Sequence, residues 1–208
     1  MENWFSIIGA LVAVLIAIIL PLIARRRKKE EATNKIEELY RRLRALGVEV
    51  FPVEKGDERE KIGLARASGQ KSEGLMDLED RNIDSINIVG ISSQYGTRYF
   101  IDYLVRGSNI MGERVLKKTR LTRKKSPPLW GKIVAIDWKG DDALAQSLNL
   151  DYSLEDKLLK ADANAFKGNI WIFPEPKHGY ARIRTDYVLP SAAIFEALSS
   201  IARHIKSW

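Results

Sequence analysis

The sequence predicts an α+β domain carried behind a single N-terminal transmembrane helix and a juxtamembrane helix. Three observations lead there. Residues 4–24 (WFSIIGALVAVLIAIILPLIA) contain no ionisable side chain, and at about 1.5 Å per residue they span the roughly 30 Å of bilayer hydrocarbon. From residue 83 onward β-branched and aromatic residues alternate with polar ones between turn signals, the pattern of strands. Over residues 190–208 Ile194, Leu198, Ile201, Ile205 and Trp208 fall on one stripe at helical spacing. Strands, then helices, then two more strands and a closing helix read as a mostly antiparallel sheet packed by a C-terminal helix, with a partly closed barrel as the alternative.

The N-terminal stretch reads as an uncleaved anchor. A secretory signal opens on a positive region, has a shorter apolar core and ends in small residues. This stretch opens Met-Glu-Asn and is followed by Arg25, Arg26, Arg27, Lys28 and Lys29. Trp4 suits one interface, the five cations hold the other, and the positive-inside rule puts the body of the chain in the cytoplasm with residues 1–3 outside. Pro21 falls in the expected last turn, where few helical bonds remain to be broken. Gly9, Ala13 and Ala17 recur every four residues, a candidate face for helix association and a homo-oligomer. Chance gives the same spacing in a span rich in small residues.

The formal net charge of +7 invites a nucleic-acid reading, but from residue 30 onward basic residues exceed acidic ones by only three. Nucleic acid is therefore discounted, and the expected partners are membrane lipids and a cytoplasmic or membrane protein. The chain has no cysteine, which excludes disulfides, thiolate metal sites and a cysteine nucleophile. No cofactor or metal is expected.

After the basic flank, Ile36, Leu39, Leu43 and Leu46 take a and d spacing, Glu37–Arg41 and Glu38–Arg42 are favourable i,i+4 pairs, and Gly47 stops a helix that is continuous with the anchor or hinged just after it. Two heptads make a weak coiled coil on their own, so packing of this stripe on its own domain is preferred to self-association. Residues 48–82 read as a linker, with an edge strand over 48–53 limited by Pro52 and a charged, glycine-dotted segment after it.

Within the cytoplasmic domain, residues 83–208, DSINIVGISS and TRYFIDYLVRG form a hairpin about Gln94-Tyr95-Gly96. RVLKKTRLTRKK is a third strand, ended by Pro127-Pro128, and KIVAIDW (132–138) a fourth. Asp141 or Asp142 caps a helix through Leu148, and Ser153-Leu-Glu-Asp156 reads as the capping box of a second. Residues 169–173 and 180–188 make a second hairpin around PEPKHG.

No motif fixes a reaction. Gly140-Asp141-Asp142 has the acids of a metal site but no third ligand at a spacing that joins them, so helix capping explains them better. His178 sits in a turn and His204 in the closing helix; a Ser-His-Asp arrangement is conceivable, but no nucleophile is indicated. Were the chain an enzyme, Asp102, Asp137, Asp141 or His178 would take part. The patch that stands out is Lys117, Lys118, Arg120, Arg123, Lys124 and Lys125, six cations in nine residues without an acid. It suits anionic lipid, with the following Leu129 and Trp130 placed to dip into the interface, or an acidic partner, or simply a solvated edge strand whose lysines discourage aggregation. Three functions stay open: a membrane-tethered interaction module of unknown specificity, an enzyme at the cytoplasmic membrane surface, and a structural subunit of a membrane complex.

Overall fold

The computed structural model describes residues 2–54, 56, 70–80, 82–107, 110, 117–126, 132–161 and 169–207, with backbone alone for 2–14, 16 and 132. The chain divides into two compact units, residues 1–38 and 39–208.

Helix α1 (Glu2–Ala45) is one continuous helix. Pro21 therefore lies well inside it, a correction to its expected place in the last turn of a span ending near residue 24. In the first unit Arg25 to Lys29 are exposed, Arg26 Nε reaches Glu30 at 3.0 Å, and the Thr33 hydroxyl donates to the Lys29 carbonyl. Among the described residues no helix is long and apolar enough to cross a membrane. The side chains of Trp4, Gly9 and Ala13 lie outside the described residues, as do all others of 4–14 and that of residue 16, so most of the expected span is not covered by that finding; Ala17 is exposed.

In the second unit the helix ends as its sequence demands, with Gly47 at φ +79°. Leu39 and Leu43 are fully buried within the single chain, so the heptad-spaced stripe is used inside the domain and gives no sign of a coiled coil. Arg42 Nε donates to the Pro190 carbonyl at 2.7 Å, fixing the helix end to the segment before the last helix.

Eight strands form one antiparallel sheet: β1 (Val50–Pro52), β2 (Gln70–Leu78), β3 (Ser85–Ser93), β4 (Gly96–Arg106), β5 (Thr119–Ser126), β6 (Lys132–Lys139), β7 (Ile170–Glu175) and β8 (Tyr180–Asp186). Their order is β1-β2-β3-β4-β8-β7-β5-β6. Both expected hairpins, β3–β4 and β7–β8, are present, and β1 is the expected short edge strand. The linker over 48–82 is corrected: β2 lies inside it and pairs with β3 across a bulge at Ser72/Gly74. Leu75, Met76 and Leu78 are buried there, which supplies the apolar surface that the flanking charges obscure.

Three helices complete the α+β fold: α2 (Asp142–Asn149), α3 (Tyr152–Lys160) and α4 (Ala192–Lys206). Of the two expected candidates, Asp141 caps α2 and Asp142 is its first residue. The cap of α3 is Asp151, whose carboxylate accepts from Leu154 N, and not Ser153; the helix starts one residue before the expected box. Ile194, Leu198, Ile201 and Ile205 are buried along α4, which packs on β4 and β8; Trp208 lies outside the described residues.

Register assigns the two sheet faces. Tyr103 pairs with Ile183, Ile183 with Ile172 and Ile172 with Thr119, so these residues share a face. Asp141 N donates to Thr119 Oγ1, which places the start of α2 on that same, helix-covered face. Burial pushes the Tyr103 phenol well above its ordinary value, a rise that the hydrogen bond with Thr185 offsets in part.

Candidate anion-binding face

The opposite face carries the charge. One rung runs across six strands: Leu75, Asn87, Asp102, Arg184, Trp171 and Arg120 are successive cross-strand partners. The alternation Arg182-x-Arg184 and Trp171-x-Phe173 puts each pair on one side of its strand, and pairing of β8 with both β4 and β7 brings them together.

At the centre, Asp102 has no exposed surface. Arg184 grips it with both prongs, Nε to Oδ1 at 2.6 Å and Nη2 to Oδ2 at 2.7 Å, and Arg182 Nη1 adds a third bond at 3.3 Å. Arg182 also pairs with Glu175, and Gln70 accepts from Arg184 Nη1. A buried carboxylate needs such compensation, because desolvating an unpaired charge costs several kcal/mol. Burial alone would lower the Arg182 guanidinium; Asp102 and Glu175 outweigh it and raise it. One atom is left over: Arg182 Nε is buried with no acceptor among the described residues.

Aromatic rings floor the cations. Phe173 lies under Lys118 Nζ at 4.5 Å, Arg182 at 5.4 Å and Arg184 at 5.5 Å, and Trp171 lies 5.7 Å from Lys118 Nζ, all within cation–π range. Arg98 stacks on Phe100 and pairs with Asp186. Thus Arg98, Arg182 and Arg184 each have an acid, whereas Lys118 and Arg120 have none within ion-pair distance among the described residues. Desolvation, then the charges of Arg120 and Arg184, hold the Lys118 ammonium below its ordinary value.

The expected basic patch is therefore divided by its strand. Lys117, Lys118, Arg120, Lys124 and Lys125 are exposed, and Arg123 is half-buried. Burial lowers the Arg123 guanidinium and Asp186 partly restores it. Pairing of β5 with β7 stops at Thr119 and Arg120; from Leu121 on, β5 pairs among the described residues with β6 alone. Leu129 and Trp130, expected to dip into lipid, lie outside the described residues.

The structure does not bring the expected enzyme participants together. Asp102 is in the buried ion pair. Asp137 meets Lys139 and Asn149. Asp141 caps α2 and accepts from Lys117 N. His178 is exposed in the Pro176–His178 turn, its ring 5.8 Å from that of Tyr180. An open depression of about 490 Å³ between Trp138 and Leu150 is lined by none of the four.

A second cluster was not legible in the sequence. Ser147 Oγ lies 2.7 Å from His204 Nδ1, and His204 Nε2 lies 2.9 Å from Asp151 Oδ2. Ser200 also donates to Asp151. The four residues tie α2 and α4 to the start of α3. Burial alone would raise the Asp151 carboxyl, but the hydrogen bonds from His204, Leu154 and Ser200 hold it below the usual carboxylate range.

No family model matches the chain, and neither does any curated protein or solved structure.

Proposed function

We propose that the protein is a non-enzymatic binding module tethered to the cell membrane by a single span, with its N-terminus outside and its domain holding an acidic partner at the cytoplasmic face. The observation that carries this reading is the unequal use of charge on the sheet. Asp102, Asp137, Asp141, Asp151 and His204 are engaged in caps, ion pairs and hydrogen bonds, whereas Lys118, just before β5, and Arg120, Lys124 and Lys125 on it stand exposed along a stretch without an acid. Support for the tether comes from the uncharged stretch 4–24 and the five cations after it.

Because the chain has no cysteine, single cysteines can report its topology. Asn3→Cys should react with an impermeant maleimide in intact cells and Lys125→Cys only after permeabilisation. The reverse pattern, or release of the protein by carbonate, refutes the tether. A photo-crosslinker at position 125 should capture an acidic species in wild type and lose it in K118E/R120E; capture of a second copy instead favours a structural subunit.

One observation favours an enzyme: the Ser147–His204–Asp151 distances are those of a nucleophile, base and acid. Labelling of wild type by a fluorophosphonate, absent in Ser147→Ala, would establish it; no labelling removes it.

A further inference from the structure

We infer that the Lys118–Arg120 end of the charged rung, floored by Trp171 and Phe173, is a binding site for the phosphomonoester head group of an anionic phospholipid. This rests on the membrane-tethered reading above and names the ligand of its charged face.

The geometry is that of a small anion site. Lys118, just before β5, and Arg120 lie two residues apart, a backbone spacing of about 7 Å in extended chain, and the contacts of Lys118 with the Trp171 and Phe173 rings put it on the side of Arg120's partner Trp171, close enough to bracket a single tetrahedral group. Arg120 is the cross-strand partner of Trp171, and Lys118 Nζ stands over Phe173. The rings form an apolar floor that fixes the cations and excludes water from one side. The charges of Arg120 and Arg184 both act against the Lys118 ammonium, and Asp102 is committed to Arg184 through both oxygens. An anion between Lys118 and Arg120 relieves that repulsion. The acceptor-less Arg182 Nε stands on the same face, whose Phe173 ring it shares with Lys118.

Charge selects the chemistry. Two cations with no acid within ion-pair distance among the described residues match a dianion, and guanidinium and ammonium donors suit the oxygens of phosphate. The surroundings select the source. Exposed Lys124 and Lys125 continue along β5 past the site, extending positive charge beyond what one soluble anion neutralises; an anionic leaflet meets both the site and its extension. Half-exposed Trp171 and Phe173 suit the head-group level, where aromatic rings are enriched.

The test uses the full-length chain in nanodiscs of phosphatidylcholine alone, with phosphatidic acid, or with phosphatidylserine at matched surface charge, read by hydrogen–deuterium exchange. With phosphatidic acid, exchange over 117–121 and 170–175 should slow about tenfold, the effect of a ligand present at roughly ten times its Kd. Phosphatidylserine should give much less. K118Q/R120Q should abolish the slowing with an unchanged near-UV spectrum, and K124Q/K125Q should retain it.

Equal slowing by phosphatidylserine, or its loss in K124Q/K125Q, overturns the site in favour of diffuse charge attraction. Slowing by glycerol 3-phosphate in plain phosphatidylcholine discs overturns the lipid source. No slowing in any disc overturns the site but leaves the tether standing, whereas a chain that does not enter discs overturns both.

Discussion

Replacing Asp102 by Asn leaves shape nearly intact and removes the one charge that balances Arg184. Asp102 is completely buried and receives three guanidinium hydrogen bonds, two from Arg184 and one from Arg182. Arg182 keeps Glu175, but among the described residues Arg184 keeps only the neutral Gln70 oxygen and its ring contacts. Breaking a buried pair from one side costs about 3–5 kcal/mol, a large share of the roughly 5–15 kcal/mol that holds a domain folded. In a chain of this size each kcal/mol moves Tm by about 2–4 °C, so Asp102→Asn should unfold roughly 6–20 °C below wild type. Urea denaturation followed by tryptophan fluorescence supplies the free energy, with an unchanged slope confirming that the native state is the same. The double variant D102L/R184M should recover part of the loss, since apolar residues replace a buried pair at little cost. A loss for Asp102→Asn below about 1 kcal/mol, the value of an exposed pair, would refute the reasoning.

At Gly140, φ is +144° and an added Cβ would meet the Lys118 carbonyl at 2.2 Å; Gly140→Ala should cost about 3 kcal/mol in urea titrations and displace Lys118 as well. The Asp151 carboxyl is held below its unfolded value of about 3.9, so its contribution is complete above that pH and is lost as pH falls through the folded value. Asp151→Asn should therefore flatten the acid limb of the stability–pH curve, and an unaltered limb would count against the His204–Asp151 brace. Leu43→Ala in the buried end of α1 should cost about 2–5 kcal/mol by thermal unfolding, whereas a stripe reserved for self-association would lose little in the monomer.

The elements that were legible are those whose signal is local. The two hairpins announce themselves by alternation and by Gly96 and Gly179 at positive φ, and α4 by a stripe that is buried along its length. Asp141 was legible as a cap because it stands between a strand and a helix. β2 was not, because only Leu75, Met76 and Leu78 bury apolar surface in it and a bulge at Gly74 breaks its alternation. Of the two readings of the stalk, the continuous helix holds; Pro21 fell in a last turn only when the apolar span was counted alone, since the change from apolar to charged residues near 24 marks a change of environment and not a helix end. The charged rung was the least legible. Asp102 and Arg184 lie 82 residues apart, and nothing local says that β8 inserts between β4 and β7. The same holds for Ser147, Asp151 and His204, which meet only when three helices pack.

Because, among the described residues, β5 pairs with β7 only at Thr119 and Arg120 and beyond them with β6, with half-buried Arg123 still under the charge of Asp186, the strand serves two mechanical roles. Its root shares the rigidity of the central strands. Its outer end, exposed Lys124 to Ser126, is paired with β6, and a two-stranded end opens at lower free energy than the sheet it springs from. Motion at Lys124 and Lys125 therefore need not disturb Lys118 and Arg120, and that end can follow an uneven surface while the root keeps its geometry.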